Sequence, residues 1–290
     1  MKKALLKKLN FLIPVLILIG FYACKPARQS YTSPKGYDLS HPEKFIMPES
    51  LQEISGIAFY KGKSDTVYSI QDEDGRLFKQ AWGIKKQQHT VFGKKGDYED
   101  LAILNETVII LRSDGTLYTF PFSEATKAKA NQIKVWDDIL PDGEYESIYA
   151  DQQTNQLYLP CKNCKQDKKD KTMSGSIFTY NPAKKELIAS GTFSMDLRAL
   201  IDKGQILKTG LKASALTKDP HSGDWYILSS VNKLLVVASP DWKVKSVHRL
   251  NTATFVQPEG LAFDKEMNLY ISNEGDELNS GNILKFKFKP

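Results

Sequence analysis

The sequence reads as an all-β protein, a five-bladed β-propeller with four strands per blade. Three observations carry this reading: a short pattern recurs five times, its copies are spaced at blade-sized intervals, and each interval holds short apolar runs cut by turn signals. The copies are Glu53-Ile54-Ser55-Gly56-Ile57-Ala58, Tyr98-Glu99-Asp100-Leu101-Ala102, Tyr145-Glu146-Ser147-Ile148-Tyr149, Ala213-Ser214-Ala215-Leu216-Thr217 and Pro258-Glu259-Gly260-Leu261-Ala262. Aligned on Ser55, Glu99, Glu146, Ser214 and Glu259, they lie 44, 47, 68 and 45 residues apart. With 41% apolar and 11% aromatic residues among 290, the chain has ample material for a core, which excludes wholesale disorder.

The chain opens with a basic stretch, Met1 to Lys8, followed by an apolar run from Phe11 to Ala23. That run is shorter than the roughly 20 residues a resident membrane helix needs, so residues 1–23 read as a cleaved export signal. Gly20-Phe21-Tyr22-Ala23 ahead of Cys24 resembles a bacterial lipoprotein signal, in which Cys24 becomes the lipidated first residue; an ordinary secretory signal with a chance cysteine is the alternative. Residues 24–42 carry Pro26, Ser30, Ser33, Pro34, Gly36 and Pro42 with little apolar content and read as a flexible tether. The implied address is the bacterial cell envelope, lipid-anchored at the periplasmic face or the outer membrane. Loss of Lys2, Lys3, Lys7 and Lys8 takes the net charge from +6 to +2. Without a concentrated basic face, a nucleic-acid partner is not expected.

Residues 43–290 form the propeller domain. After each copy of the pattern come second apolar runs at 66–70, 107–111, 156–160, 225–228 and 268–272, then third runs at 75–78, 115–120, 175–180, 234–237 and 282–288. Fourth runs follow at 89–92, 133–136, 187–193 and 244–250, but the last repeat ends without one. Lys44-Phe45-Ile46-Met47 is the donor of that missing strand; closing the ring in this way removes sheet edges that would otherwise pair with other molecules, and a monomer is expected. The interval of 68 is too short for two blades and is assigned to a Lys- and Asp-rich insertion at 162–174, expected in solvent. A single helical turn is expected near 195–200.

In a propeller the first strand of each blade lines the central channel, so Ser55, Glu99, Glu146, Ser214 and Glu259 should face one narrow space. Two residues earlier stand Glu53, Asp97, Glu144, Lys212 and Gln257. Converging carboxylates repel unless something positive lies among them, and a hard cation such as Ca²⁺, with six to eight oxygen ligands, suits such a ring. The candidate metal ligands are Glu53, Glu99, Glu146 and Glu259, with Asn273 as a further oxygen donor; Gln71 and Ser229 follow their second strands at the same offset as Asn273. A metal-free network, with Lys212 and Arg112 neutralising two of the acids, is the competing reading.

Cys161-x-x-Cys164 lacks the further ligands of a zinc knuckle and the βαβ context of a redox motif; in an exported protein it reads as a local disulfide pinning the insertion. Asp72-x-Asp74-Gly75 resembles the start of a calcium loop, but Gly83 stands where the closing Glu belongs, so a tight turn is the better reading. His89, His221 and His248 are scattered over different blades and are expected at the surface. Trp82, Trp136, Trp225 and Trp242 recur at blade-related positions and are expected to pack between blades.

Taken together, the five first-strand motifs and Asn268-Leu269-Tyr270-Ile271-Ser272-Asn273-Glu274 resemble the SdiA-regulated family over about residues 43–290. The resemblance implies a five-bladed propeller distantly related to NHL repeats, with a calcium site and no established catalytic activity. The chain is therefore expected to be a binding or interaction module for a protein or small molecule, with calcium in its channel. A metal-dependent hydrolase of the lactonase, esterase or phytase type is the alternative, in which Glu99, Glu146 and Glu259 would ligate and Glu144 or Asp97 would act as base.

Overall fold

The fold is seen in a computed structural model that describes residues 31–84, 87–203, 205 and 210–290. The export signal, Cys24 and residues 24–30 of the tether lie outside the described residues.

Twenty strands form five four-stranded antiparallel sheets. The chain enters with β1 (Glu43–Ile46) and builds blade 1 from β2 (Ile54–Ala58), β3 (Val67–Gln71), β4 (Arg76–Gln80) and β5 (Gln88–Val91). Blade 2 is β6 (Tyr98–Leu104), β7 (Thr107–Arg112), β8 (Leu117–Pro121) and β9 (Lys134–Trp136). Blade 3 is β10 (Tyr149–Asp151), β11 (Gln156–Pro160), β12 (Thr172–Asn181) and β13 (Glu186–Asp196). Blade 4 is β14 (Ala215–Lys218), β15 (Trp225–Ser229), β16 (Leu234–Ala238) and β17 (Val244–Arg249). Blade 5 has β18 (Gln257–Phe263), β19 (Leu269–Glu274) and β20 (Asn282–Phe286), and β1 supplies its fourth strand, pairing Ile46 with Asn282 and Glu43 with Lys285. The ring is closed by joining the two ends of the domain, as the missing fourth run requires.

Inner and outer strands differ in pattern for a physical reason. β2, β3, β15 and β16 are buried at every position because a neighbouring blade covers each face. Outer strands such as β9 and β13 face water along most of their length. Buried side chains gather into five clusters, one at each junction between successive blades. The tryptophans lie in these junctions, with Trp225 and Trp242 stacked 4.5 Å apart between blades 3 and 4 and Trp82 beside Phe45 and Tyr270 between blades 5 and 1.

The ends of the domain and the insertion refine the sequence reading. Residues 32–42 lack an apolar run, yet Tyr37 and Leu39 sit in the core between blades 4 and 5, and the Tyr37 hydroxyl donates to Met267 O at 2.7 Å. This part of the segment is packed against the propeller and is not free tether. It also covers His248, which is buried rather than exposed: its ring nitrogens lie 2.8 Å from Thr32 Oγ1 and 2.9 Å from Ser246 Oγ, and burial holds its pKa below the usual value. In the insertion, a short exposed helix spans Lys165–Asp170, while Thr172 to Ser174 already belong to β12, paired with Asp196 to Ser194. The expected turn near 195–200 is the helix Arg198–Asp202, and Met195 is still in strand.

Candidate functional site

The five first strands converge on the axis. One cavity is lined by residues of all of them, including Ala58, Ala102, Ala150, Thr217 and Ala262. At the other end of these strands the pairing is broken in the same way three times. Register shifts fall between Ile54 and Ile57, between Tyr98 and Asp100, and between Pro258 and Gly260, so Ser55, Glu99 and Glu259 occupy bulge positions. A bulge leaves one residue unpaired and re-aims its side chain, which turns Glu99 and Glu259 out of the sheet toward the channel mouth. In blades 3 and 4, Glu146 and Ser214 lie just ahead of the paired strand.

The floor of the mouth is rigid. Asp100 is fully enclosed; its Oδ1 accepts from Leu101 N at 2.8 Å and its Oδ2 from Ile148 N at 2.9 Å, tying blade 2 to blade 3. Burial raises its pKa well above the usual range. Blade 1 passes so close that a Cβ on Gly56 would lie 2.3 Å from Asp100 Oδ1, which explains the glycine at that repeat position.

Above this layer the mouth has two unlike halves. In the blade 3 half, Lys162 Nζ lies 3.1 Å from Glu144 and in direct contact with Glu146. Burial acts to raise the Glu144 pKa, but the Lys162 ammonium and Asn163 outweigh it and hold the carboxyl below its ordinary value. Glu144 is thus kept as a paired carboxylate, which makes it a poor general base. Of the expected counter-ions, Arg112 binds Asp114 and Tyr118 instead, while Lys212 donates to Lys162 O at 3.0 Å and Asn163 Oδ1 at 2.9 Å and adds its charge to the lowering of Glu144.

The other half, on blades 5, 1 and 2, is acidic without an ion-pair partner among the described residues. Glu99 is pushed up to about 8, first by burial and then by Asp97, with Glu259 and Asp72 adding to it and Lys162 pulling the other way. Glu274 is pushed up to about 7 by burial, Glu259, Asp72 and Glu53, against a hydrogen bond from Gln257. Asp72 rises to about 6 through burial and Glu53. Burial also raises Glu259, partly offset by hydrogen bonds from Ser230 and Ser214 and by the charges of Lys162 and Lys233. Glu53 and Asp97 lie exposed at the rim.

Lys162 contacts Glu146, and its charge acts on Glu99 and Glu259 as well, so the three acids lie within electrostatic reach of one ammonium. Asn273 is fully buried, its Nδ2 donating to Asn282 Oδ1 while its own Oδ1 has no partner; Asp72 Oδ1 is likewise unpartnered, as is Ser147 Oγ beside Glu146. Among the described residues no three His, Cys, Asp or Glu side chains are gathered tightly enough to hold an ion by themselves. The donor chemistry still suits a hard cation, because Ca²⁺ accepts amide, hydroxyl, carbonyl and water oxygens alongside one or two carboxylates. Sequence reading missed Asp72, Glu274, Ser230 and Lys162. The first three follow Gln71, Asn273 and Ser229 by one residue, so their shared offset was a usable signal. Cys161 and Cys164 are joined in a disulfide.

Comparison with known proteins finds a family model that matches part of the chain. Residues 211–278 match the SdiA-regulated family model. The matched stretch covers blade 4 and the two inner strands of blade 5, and it includes Lys212, Ser214, Ser230, Glu259, Asn273 and Glu274 of the mouth. No curated protein sequence matches the chain. Among solved structures, glutaminyl cyclase from Myxococcus xanthus is similar with a TM-score of 0.56 at 12% identity, covering 86% of this chain and 96% of that one, which is a likeness of fold. Regucalcin from Agrobacterium tumefaciens str. C58, described as a calcium-binding protein, has a TM-score of 0.49 at 12% identity over 89% of this chain and 96% of its own. The nidogen/laminin complex matches with a TM-score of 0.47 at 15% identity over 76% of this chain and 72% of that chain.

Proposed function

We propose that this five-bladed propeller is a binding module of the bacterial cell envelope, lipid-anchored through Cys24, whose acidic mouth takes a calcium ion on blades 5, 1 and 2. The observation that carries the reading is the unpartnered buried oxygen Asp72 Oδ1, within electrostatic reach of Glu99 and Glu274, carboxyls that burial and neighbouring acids, Glu259 among them, make hard to ionise. A divalent cation supplies the missing partner and relieves the repulsion in one step. Glu146 leaves the ligand set, because Lys162 already neutralises it. With calcium bound, the mouth presents a positively biased centre ringed by exposed Glu53, Asp97 and Gln257, which suits a ligand carrying oxygen acceptors.

The test is metal analysis of the purified protein together with calcium titration of wild type and Glu259→Gln. Wild type should retain or rebind about one calcium ion per chain, and the variant should lose it. A wild-type protein that neither retains nor rebinds the ion removes this reading. Lipid anchoring is tested separately by mass spectrometry of the mature N-terminus, where an unmodified Cys24 would exclude it.

A further inference from the structure

We propose that Lys162 is a built-in cation that fills the blade 3 half of the mouth and sets how strongly the mouth takes a divalent ion, with the Cys161–Cys164 disulfide as its clamp. The inference deepens the calcium reading and rests on it for the affinity, but not for the clamp.

The geometry is specific. Lys162 lies inside the four-residue loop that the disulfide closes. Its backbone N–H donates to Glu144 O at 2.8 Å, and the preceding Cys161 N donates to Ser174 O at 2.8 Å, so the two neighbouring segments of blade 3 hold the loop. Lys212 Nζ grips Lys162 O and Asn163 Oδ1, and Asn163 Nδ2 reaches Glu144 at 3.3 Å. Both sulfurs stack on Gly143, where a Cβ would lie 2.8 Å from Cys161 Sγ and 2.9 Å from Cys164 Sγ. The lysine side chain is 16% exposed, unlike the helix Lys165–Asp170 that follows, none of whose residues is buried. A long cationic side chain has little reason to stay folded over a channel unless its backbone is pinned, and the disulfide pins it where Nζ meets Glu144 and Glu146.

An ammonium at this focus repels an arriving divalent ion through a partly desolvated space. Opening the clamp therefore favours the metal. A dithiol reductant does this by attack of its thiolate on Cys164 Sγ, the more accessible sulfur. The S–S bond breaks to a mixed disulfide and a Cys161 thiolate that takes a proton. The second reductant thiol then displaces the Cys164 thiolate, which is protonated in turn, leaving two cysteine thiols and the oxidised reductant.

The experiment compares full-chain wild type, Lys162→Gln and the double variant Cys161→Ser/Cys164→Ser, each shown folded by a cooperative melt. Calcium binding is measured by calorimetry before and after dithiothreitol, and the reactivity of Lys162 toward an acylating ester is followed by mass spectrometry. Lys162→Gln should bind calcium at least ~10-fold more tightly than oxidised wild type. Reduction should move wild type in the same direction and leave Lys162→Gln unchanged. Acylation of Lys162 should rise at least ~5-fold on reduction and in the double variant. Equal calcium affinity in wild type and Lys162→Gln overturns the role in affinity while leaving the calcium reading intact. Equal acylation in both redox states overturns the clamp. If no form binds calcium, it is the calcium reading that falls, and the affinity role with it; acylation still decides the clamp. Should Lys162→Gln fail to fold, the double variant carries both measurements.

Discussion

The two halves of the channel mouth are built from the same repeat position and end in opposite electrostatic states. In blade 3, Glu144 and Glu146 are met by Lys162, which helps hold the Glu144 carboxyl below its ordinary pKa. In blades 5, 1 and 2, burial raises the pKa values of Glu99, Glu259, Glu274 and Asp72, and neighbouring acids add to the rise at Glu99, Glu274 and Asp72. The difference comes from one position of the repeat, the residue at the end of the second strand: it is Glu274, opposite Gln257, in blade 5, but Lys162, whose N–H donates to Glu144 O, in blade 3. A repeat architecture fixes where these side chains converge; the residue type at that position decides which carboxylates are answered from within.

Substitutions on the two sides should therefore act with opposite sign, and the largest effect belongs to the answered half. In metal-free buffer at pH 8, Lys162→Gln leaves the buried Glu146 carboxylate without its cation, the half-exposed Glu144 keeping Asn163, and should cost about 2–3 kcal/mol, a fall in melting temperature of roughly 5–10 °C. An unchanged melt would mean that the pair to Glu146 is only superficial. Gly56→Ala should cost about 1–3 kcal/mol by driving a methyl into Asp100 and its backbone. Because that loss is steric, it should be the same at every pH and calcium level, which separates it from the electrostatic effects. The smallest effect has the reverse direction: Glu99→Gln should raise the metal-free melting temperature at pH 8.5 by roughly 2–4 °C, since it removes a charge that the fold accommodates poorly. A destabilised Glu99→Gln would show that this carboxylate is answered after all.

Much of this was legible in the sequence, and the reasons are concrete. Each first strand repeats because each blade must present the same inner edge to the axis, so Ser55, Glu99, Glu146, Ser214 and Glu259 could be aligned without coordinates. The unfinished last repeat identified β1 as its closing strand for the same geometric reason. Lys162 was overlooked because it stands at the head of a run of lysines whose other members face water, although it holds in blade 3 the position at the end of the second strand that Glu274 holds in blade 5. The pair Asp72 and Glu274 was hidden differently. Asp72 sits in a motif that imitates a calcium loop, which draws attention to the turn at Asp74 and away from the channel. Tyr37 and Leu39 escaped notice because two isolated apolar residues among prolines and serines make no periodic pattern, although each finds a place between blades 4 and 5.

The most direct test of the unanswered half is the melting temperature of chelator-stripped protein between pH 5 and pH 8.5, with and without calcium. Glu99, Glu274 and Asp72 have folded pKa values of about 8, 7 and 6, each above its unfolded value, so the folded chain holds more protons than the unfolded chain in that window. Their contribution is fully present below about pH 4 and is lost as the pH rises through 6 to 8. The metal-free melting temperature should therefore fall as the pH rises, and calcium should restore it by an amount that grows from pH 5 to pH 8.5. A metal-free melt that is flat or rises across the window, with no response to calcium at its alkaline end, would contradict the account.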